Sequence, residues 1–233
     1  MAAKVPTNGL NHGIPFFSDT TNGSIYTHDV SGTDDTAQYN TAFGLVALDA
    51  ITTGDHNTVL GYQAGSAITT GSGNIAIGSF SLDANATADD NTAMGQSALG
   101  QNTTGASNTG LGRSALTANT EGDNNTAIGK DAMIANTTGT RNIAVGALSY
   151  DAADTENDNI AIGYAALGGS VAGGEYNVAV GNYTLDALTS GDNNTAVGYE
   201  AGSALTSGAN NVLLGYQSGA ALTGSSNTFL GYK

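Results

Sequence analysis

The sequence predicts an all-β fold, a parallel β-solenoid or β-roll wound from about eleven 17-residue repeats, and three observations carry that reading. First, the phrase Asn125-Thr126-Ala127-Ile128-Gly129 recurs, with copies starting at Asn40, Asn57, Asn74, Asn91, Asn108, Asn125, Asn142, Asn159, Asn177, Asn194, Asn211 and Asn227. The step is 17 except for 18 between Asn159 and Asn177 and 16 between Asn211 and Asn227. Second, the middle of the phrase is apolar on both faces of a two-residue period. Third, in the second half of the unit a volume lost at one position reappears three residues later. Each unit is then one element that gains its core only by stacking on the next.

Residues 1–39 form a separate head, and residues 40–233 one continuous repeat body. The head holds both prolines, Pro6 and Pro15, beside Phe16-Phe17, and its Gly and Asn content breaks any helix of ordinary length. It reads as loops and short strands that cap the first coil, attach the chain to another protein through Phe16 and Phe17, or do both. The polar stretch from Ser31 to Gln38 reads as a linker.

Each repeat opens on Asn and has Gly at its fifth position, for example Asn91 and Gly95, Asn108 and Gly112, Asn125 and Gly129. Asn and Gly tolerate positive φ, so the pair is expected to bound a very short strand. The fourth position is large and apolar, as in Met94, Leu111, Ile128 and Val145. The second, on the same face, is Thr, Ile or Val, and the third, on the opposite face, is mostly Ala. A strand apolar on both sides is buried on both sides. The Ala face is expected to close against a second strand of the same coil, and the bulky face against another chain. The invariant Asn reads as a ladder of amides that satisfy one another from coil to coil.

Farther along the unit, Leu at the ninth position (Leu82, Leu99, Leu116) goes with Asn at the twelfth (Asn85, Asn102, Asn119). Gly at the ninth (Gly65, Gly202, Gly219) goes with Ile68, Leu205 and Leu222. A filled interior requires such exchanges. Thr-Thr-Gly segments such as Thr103-Thr104-Gly105 close the unit as turns. Acidic residues in its last two positions, among them Asp55, Asp89, Asp123 and Asp192, fall largely in alternate repeats. Coils stacked at roughly 4.8 Å would set like charges against one another without that alternation.

A formal charge of −15, from 20 acidic and 5 basic residues, excludes bulk electrostatic binding to nucleic acid or to an anionic membrane. The chain has no cysteine, hence no disulfide framework. No run approaches the ~18 apolar residues of a membrane span, and Met1 to Asn11 lacks the apolar core of a signal peptide. Catalysis finds no support: His12, His28 and His56 lack metal-ligand spacing, and no nucleophile motif is present. Carboxylate pairs such as Asp89-Asp90 read as solvated turns. No cofactor is expected. A structural calcium at turns such as Gly191-Asp192-Asn193-Asn194 is the one alternative, although the Gly-Asp spacing of calcium-binding rolls is missing.

The tandem Asn-Thr-Ala-x-Gly, x-x-Ala-Leu and Thr-Thr-Gly phrases resemble the repeats of phage tail-fibre proteins. They are also similar to the head repeats of trimeric autotransporter adhesins. The resemblance covers about five sixths of the chain and implies a homotrimeric, left-handed parallel β-roll in which three thin coils share an apolar axis lined by Met94, Leu111, Ile128 and Val145. The unit here is longer than the adhesin unit, and the chain reaches Gly231-Tyr232-Lys233 without a stalk or anchor. That favours a virion fibre or appendage protein, docked to other virion proteins by its head and engaged in host attachment. An extracellular filament or a cell-surface adhesin is the alternative.

Tyrosines follow the invariant Gly at Tyr62, Tyr164, Tyr199, Tyr216 and Tyr232. The C-terminal three lie in consecutive coils. They read as a self-stacking ladder or, alternatively, as a platform for the sugar rings of a host glycan. An ice-binding solenoid would need an unbroken threonine rank. Here Ile75, Ile143, Ile160, Val178 and Val212 interrupt it.

Overall fold

A computed structural model describes residues 3–4, 17–19, 24–26, 36–169 and 174–233. Three strands come from the head: β1 (Ala3–Lys4), β2 (Phe17–Asp19) and β3 (Ser24–Tyr26). The repeats supply β4 to β15, in order Thr41–Phe43, Thr58–Leu60, Ile75–Ile77, Thr92–Met94, Thr109–Leu111, Thr126–Ile128, Ile143–Val145, Ile160–Ile162, Val178–Val180, Thr195–Val197, Val212–Leu214 and Thr228–Leu230. All fifteen form one sheet in chain order. From β3 onward every neighbour is parallel, so each strand is one rung of a solenoid.

Register keeps like over like: Thr126, Ala127 and Ile128 face Ile143, Ala144 and Val145. The rungs join where Thr126 N–H donates to Asn142 O (2.9 Å) and Gly129 N–H to Leu111 O (2.8 Å). The 18- and 16-residue steps leave this alignment intact, with Ala161 on Ala179 and Leu213 on Phe229, so length changes are absorbed outside the strands.

The fifth-position glycine is obligatory for two reasons. At Gly129 φ is 140°, and an added Cβ would sit 2.4 Å from the carbonyl oxygen of Gly146 in the next coil. Neither the angle nor the space admits a side chain. The expectation of positive φ at the first-position Asn is overturned. The left-handed residue comes one place earlier, at position seventeen, as in Asp90, Ser107, Asn124 and Arg141. Asn itself is held in place by its side-chain hydrogen bonds.

Among the described residues the second strand expected in each coil does not form. Positions five to eleven fold as successive turns instead: Ala98 N–H donates to Gly95 O and Gly100 N–H to Ser97 O. Positions seven and nine are left-handed throughout, for example Ser97 (57°) and Leu99 (51°). Type II turns ordinarily reserve that place for glycine. The Ala face therefore packs on side chains from this turn wall. Ala93, Ala127 and Ala144 are fully buried, as are Leu99, Leu116, Met133 and Tyr150 at position nine.

The volume exchange takes two forms. A Cβ on Gly65 would lie 2.9 Å from Ile68 Cδ1, so Ile68 occupies the space within its own coil. At Gly202 the occupants come from elsewhere, Leu185 Cδ2 in the coil below and Leu213 Cδ1 in the coil above, each 2.7 Å away. Leu48 with Ile51 and Leu185 with Leu188 are large at both positions, and each such coil is followed by one with Gly at position nine. Compensation runs between coils as well as within them.

The stack is one rung longer than the repeat. β3 lies parallel on β4 with Tyr26 over Ala42, and Tyr26 is buried. Ser24 Oγ accepts the backbone N–H of Asn40 (3.0 Å), where the other rungs use an Asn side chain. Ala37, within the expected linker, is also core. β2 and β1 then add antiparallel to β3.

Candidate functional surface

Four columns of side chains run along the coils. The first is internal. Asn125 Oδ1 accepts the backbone N–H of Asn142 at 2.9 Å, and its Nδ2 donates to Gly139 O at 2.7 Å. Asn91 and Asn108 repeat that geometry one coil after another. Amide-to-amide bonds of the expected kind also occur, as from Asn142 Nδ2 to Asn125 Oδ1 (3.2 Å). The main partners are nevertheless backbone groups. A second buried ladder, missed at the sequence level, joins Asn85, Asn102, Asn119 and Asn136 at position twelve. It stops where Tyr150 and Ala153 take over, and there Asn136 Oδ1 has no hydrogen-bond partner. The buried Tyr150 hydroxyl instead accepts from Asn159 Nδ2 (2.7 Å), and burial, then the Glu156 carboxylate, pushes its pKa far up.

The second column is the outward face of the strands, positions two and four. Met94 and Leu111 are each 40 % exposed and Ile128 36 %, with Val145 half-buried. The bulky residues are thus uncovered on a single chain while the alanines behind them are fully enclosed. Threonine, isoleucine and valine at position two share that face, so the threonine rank is both interrupted and embedded among apolar side chains.

The third column follows the glycine. Tyr199 stacks on Tyr216 (5.5 Å, 13°) and Tyr216 on Tyr232 (5.4 Å, 7°). Contacts of this distance and angle are those of a stacking ladder. Tyr183 continues the ladder edge-on between Tyr164 and Tyr199, and Phe80 meets Tyr62 in the same way. Both sit at position seven, one place off the pattern that finds the others.

The fourth column is acidic. Asp89 Oδ1 accepts the backbone N–H of Ser72 (2.7 Å) and Asp123 Oδ1 that of Ala106 (2.7 Å). Each carboxylate thus caps the preceding coil, as Ser72 Oγ does for the Asp55 N–H (3.0 Å) and Asn157 Oδ1 for that of Thr140 (2.8 Å). Asp192 does the same for Glu175, and Asn194 belongs to the internal ladder, so two of the three side chains of the proposed calcium turn already have protein partners. No group of three or more His, Cys, Asp or Glu side chains that could hold a metal occurs among the described residues. Of the head residues assigned to attachment, Phe16 lies outside the described residues, and Phe17 faces Tyr26 in the β2–β3 register.

A cavity of about 390 Å³ opens at the last coil between Gln217–Leu222 and Phe229–Lys233. It is the interior of the solenoid seen end-on. No protein-family model matches the chain, and no curated protein or solved structure is significantly similar to it. Among the described residues no helix is long and apolar enough to cross a membrane.

Proposed function

We propose that the chain is the shaft of a homotrimeric fibre, a rod in a virion appendage that holds an attachment end and a host-facing end apart. The uncovered apolar strand face carries this reading. It is three residues wide, roughly 10 Å, and on the order of 55 Å long. A footprint of about 550 Å² is at the top of the range that monomers leave uncovered. With its flanks included, it approaches the ~800 Å² per partner of a standard interface. Three copies placed around one axis would cover it along its whole length. The resemblance of the tandem phrases to tail-fibre repeats supplies the number three and the virion setting.

In this reading the head docks on the next component. A cut at residue 35 would strip Tyr26 and Ser24 from the stack. Removal of residues 1–22 spares β3. The truncated chain should form the same oligomer as the full chain yet fail to enter particles. Sedimentation of the full chain is the primary experiment, and a monomer would overturn the fibre.

A further inference from the structure

We propose that the copies meet edge to edge through a polar seam, in which the residue after the invariant glycine on one subunit faces the acidic column of the next. The seam rests on the trimeric reading and specifies how the subunits contact one another. In a cyclic trimer with its axis along the rod, the three strands of a rank circulate head to tail. The end of one strand then meets the start of its neighbour's, a heterologous contact that closes. Position six flanks the exit of the strand, and positions sixteen and seventeen of the preceding coil flank its entry. The partner is therefore a second copy of this chain in the same orientation and register.

The side chains on the two flanks are complementary in several ranks, while the ranks of Ser79, Arg113, Tyr216 and Tyr232 have no acid on the entry flank. Lys130 follows the strand that Asp123 precedes; Tyr62 shares a rank with Asp55, Gln96 with Asp89, and Tyr199 with Asp192. Position six lacks a polar side chain only at Leu45 and Ala147. Neither of those ranks has an acid on its entry flank, and the rank of Ala147 carries Arg141 there. Each cap uses one carboxylate oxygen, Oδ1, for a backbone N–H, so Asp89 and Asp123 keep Oδ2 for an outside donor. Lys130 pairs with Asp131 at 3.2 Å with its side chain 61 % exposed, a pair worth little on its own. Arg113, exposed one rank below Lys130, lies within one coil spacing of both the Asp89 and the Asp123 ranks. Within one chain the two flanks cannot meet, because the intervening five-residue segment spans roughly 16 Å.

The chain has no cysteine, which makes the test direct. Lys130→Cys and Asp123→Cys are introduced together into the full chain and treated with a short bis-maleimide. The seam predicts covalent trimers, with neither single-cysteine variant cross-linking. A double variant that sediments as a trimer but yields no covalent trimer overturns the seam and leaves the fibre standing. Cross-linking by Lys130→Cys alone means that like flanks meet, and it overturns the seam too. A parent chain that sediments as a monomer overturns the fibre itself. Lys130→Gln combined with Asp123→Asn, which keeps an oxygen for Ala106 N–H, gives an independent reading. The two should be non-additive in the midpoint of trimer dissociation, and strict additivity counts against the contact.

Discussion

Asn125 and Asn142 are joined twice, the Oδ1 of the first accepting both the backbone N–H (2.9 Å) and the side-chain Nδ2 (3.2 Å) of the second. Truncation to Asn125→Ala would leave that N–H buried without its partner and take from the Gly139 carbonyl one of its two donors, the other being Asn136 Nδ2 at 3.2 Å. With an orphaned donor costing about 1–3 kcal/mol and a lost hydrogen bond about 1 kcal/mol, the variant should lose on the order of 3 kcal/mol in chemical denaturation. A change below about 0.5 kcal/mol, the usual range of a surface substitution, would show that the ladder is dispensable.

Ile128 separates the fold of one coil from the assembly of several. On a single chain it is 36 % exposed, so Ile128→Asp should leave an isolated solenoid largely intact. In a trimer it would place three carboxylates near one axis and dissociate the assembly or unfold it. Sedimentation and concentration-dependent melting report the outcome. A variant as trimeric and heat-resistant as the parent would falsify the placement of position four at the axis.

Gly65 and Ile68 should be energetically coupled. Gly65→Ala brings a Cβ to 2.9 Å from Ile68 Cδ1 at a backbone φ of 54°. The left-handed angle costs about 1 kcal/mol in any background. The contact adds to that cost only while Cδ1 is present. In an Ile68→Val background the substitution should therefore be milder, and equal losses in both backgrounds would refute the coupling.

Tyr216 stacks on a neighbour at both faces. Tyr216→Ala should destabilise the C-terminal coils by roughly 1–3 kcal/mol, whereas Tyr216→Phe should be close to neutral. If the two substitutions were equally damaging, the hydroxyl rather than the ring would be the important group.

Burial raises the carboxyl pKa of Asp83, Asp151 and Asp186 above the usual 3.8, with Asp131 adding to the effect on Asp151 and Glu200 to that on Asp186. A backbone hydrogen bond opposes the rise in each. Below 3.8 both folded and unfolded forms are neutral, and these groups cost nothing. As pH rises, the unfolded chain ionises first, so stability falls until the folded pKa is passed. Asp186→Asn should consequently be more stable than the parent at about pH 7 but not at about pH 3. An equal difference at both values would contradict a burial origin.

Much of this architecture is legible in the sequence because an error in phase would be visible twelve times over. The strand positions, the buried alanines and the glycine column follow from the recurrence of Asn125 to Gly129. What escapes is whatever the backbone decides alone. Leu99, Tyr150 and Leu185 adopt a left-handed φ that no property of Leu or Tyr announces. They are selected for the interior they fill. Tyr183 escaped for a different reason, since it sits at position seven while its neighbours in the ladder sit at six. The Asn ladder was expected to bond side chain to side chain. Its main partners are backbone groups fourteen and seventeen residues away, which composition cannot specify.

Thirty of the described non-glycine residues have positive φ, about three in every coil. At roughly 1–2 kcal/mol each, an isolated coil would carry a strain of ~3–6 kcal/mol that its own short strand cannot offset. No single coil is therefore a foldable unit, and a new one becomes stable only when laid on a finished edge. Folding should show a slow nucleation event followed by rapid one-dimensional growth, much as a crystal adds layers. Length is then quantised: coils could be gained or lost over evolutionary time in whole 17-residue steps, each changing the reach of the molecule by about 4.8 Å while leaving every remaining contact in place.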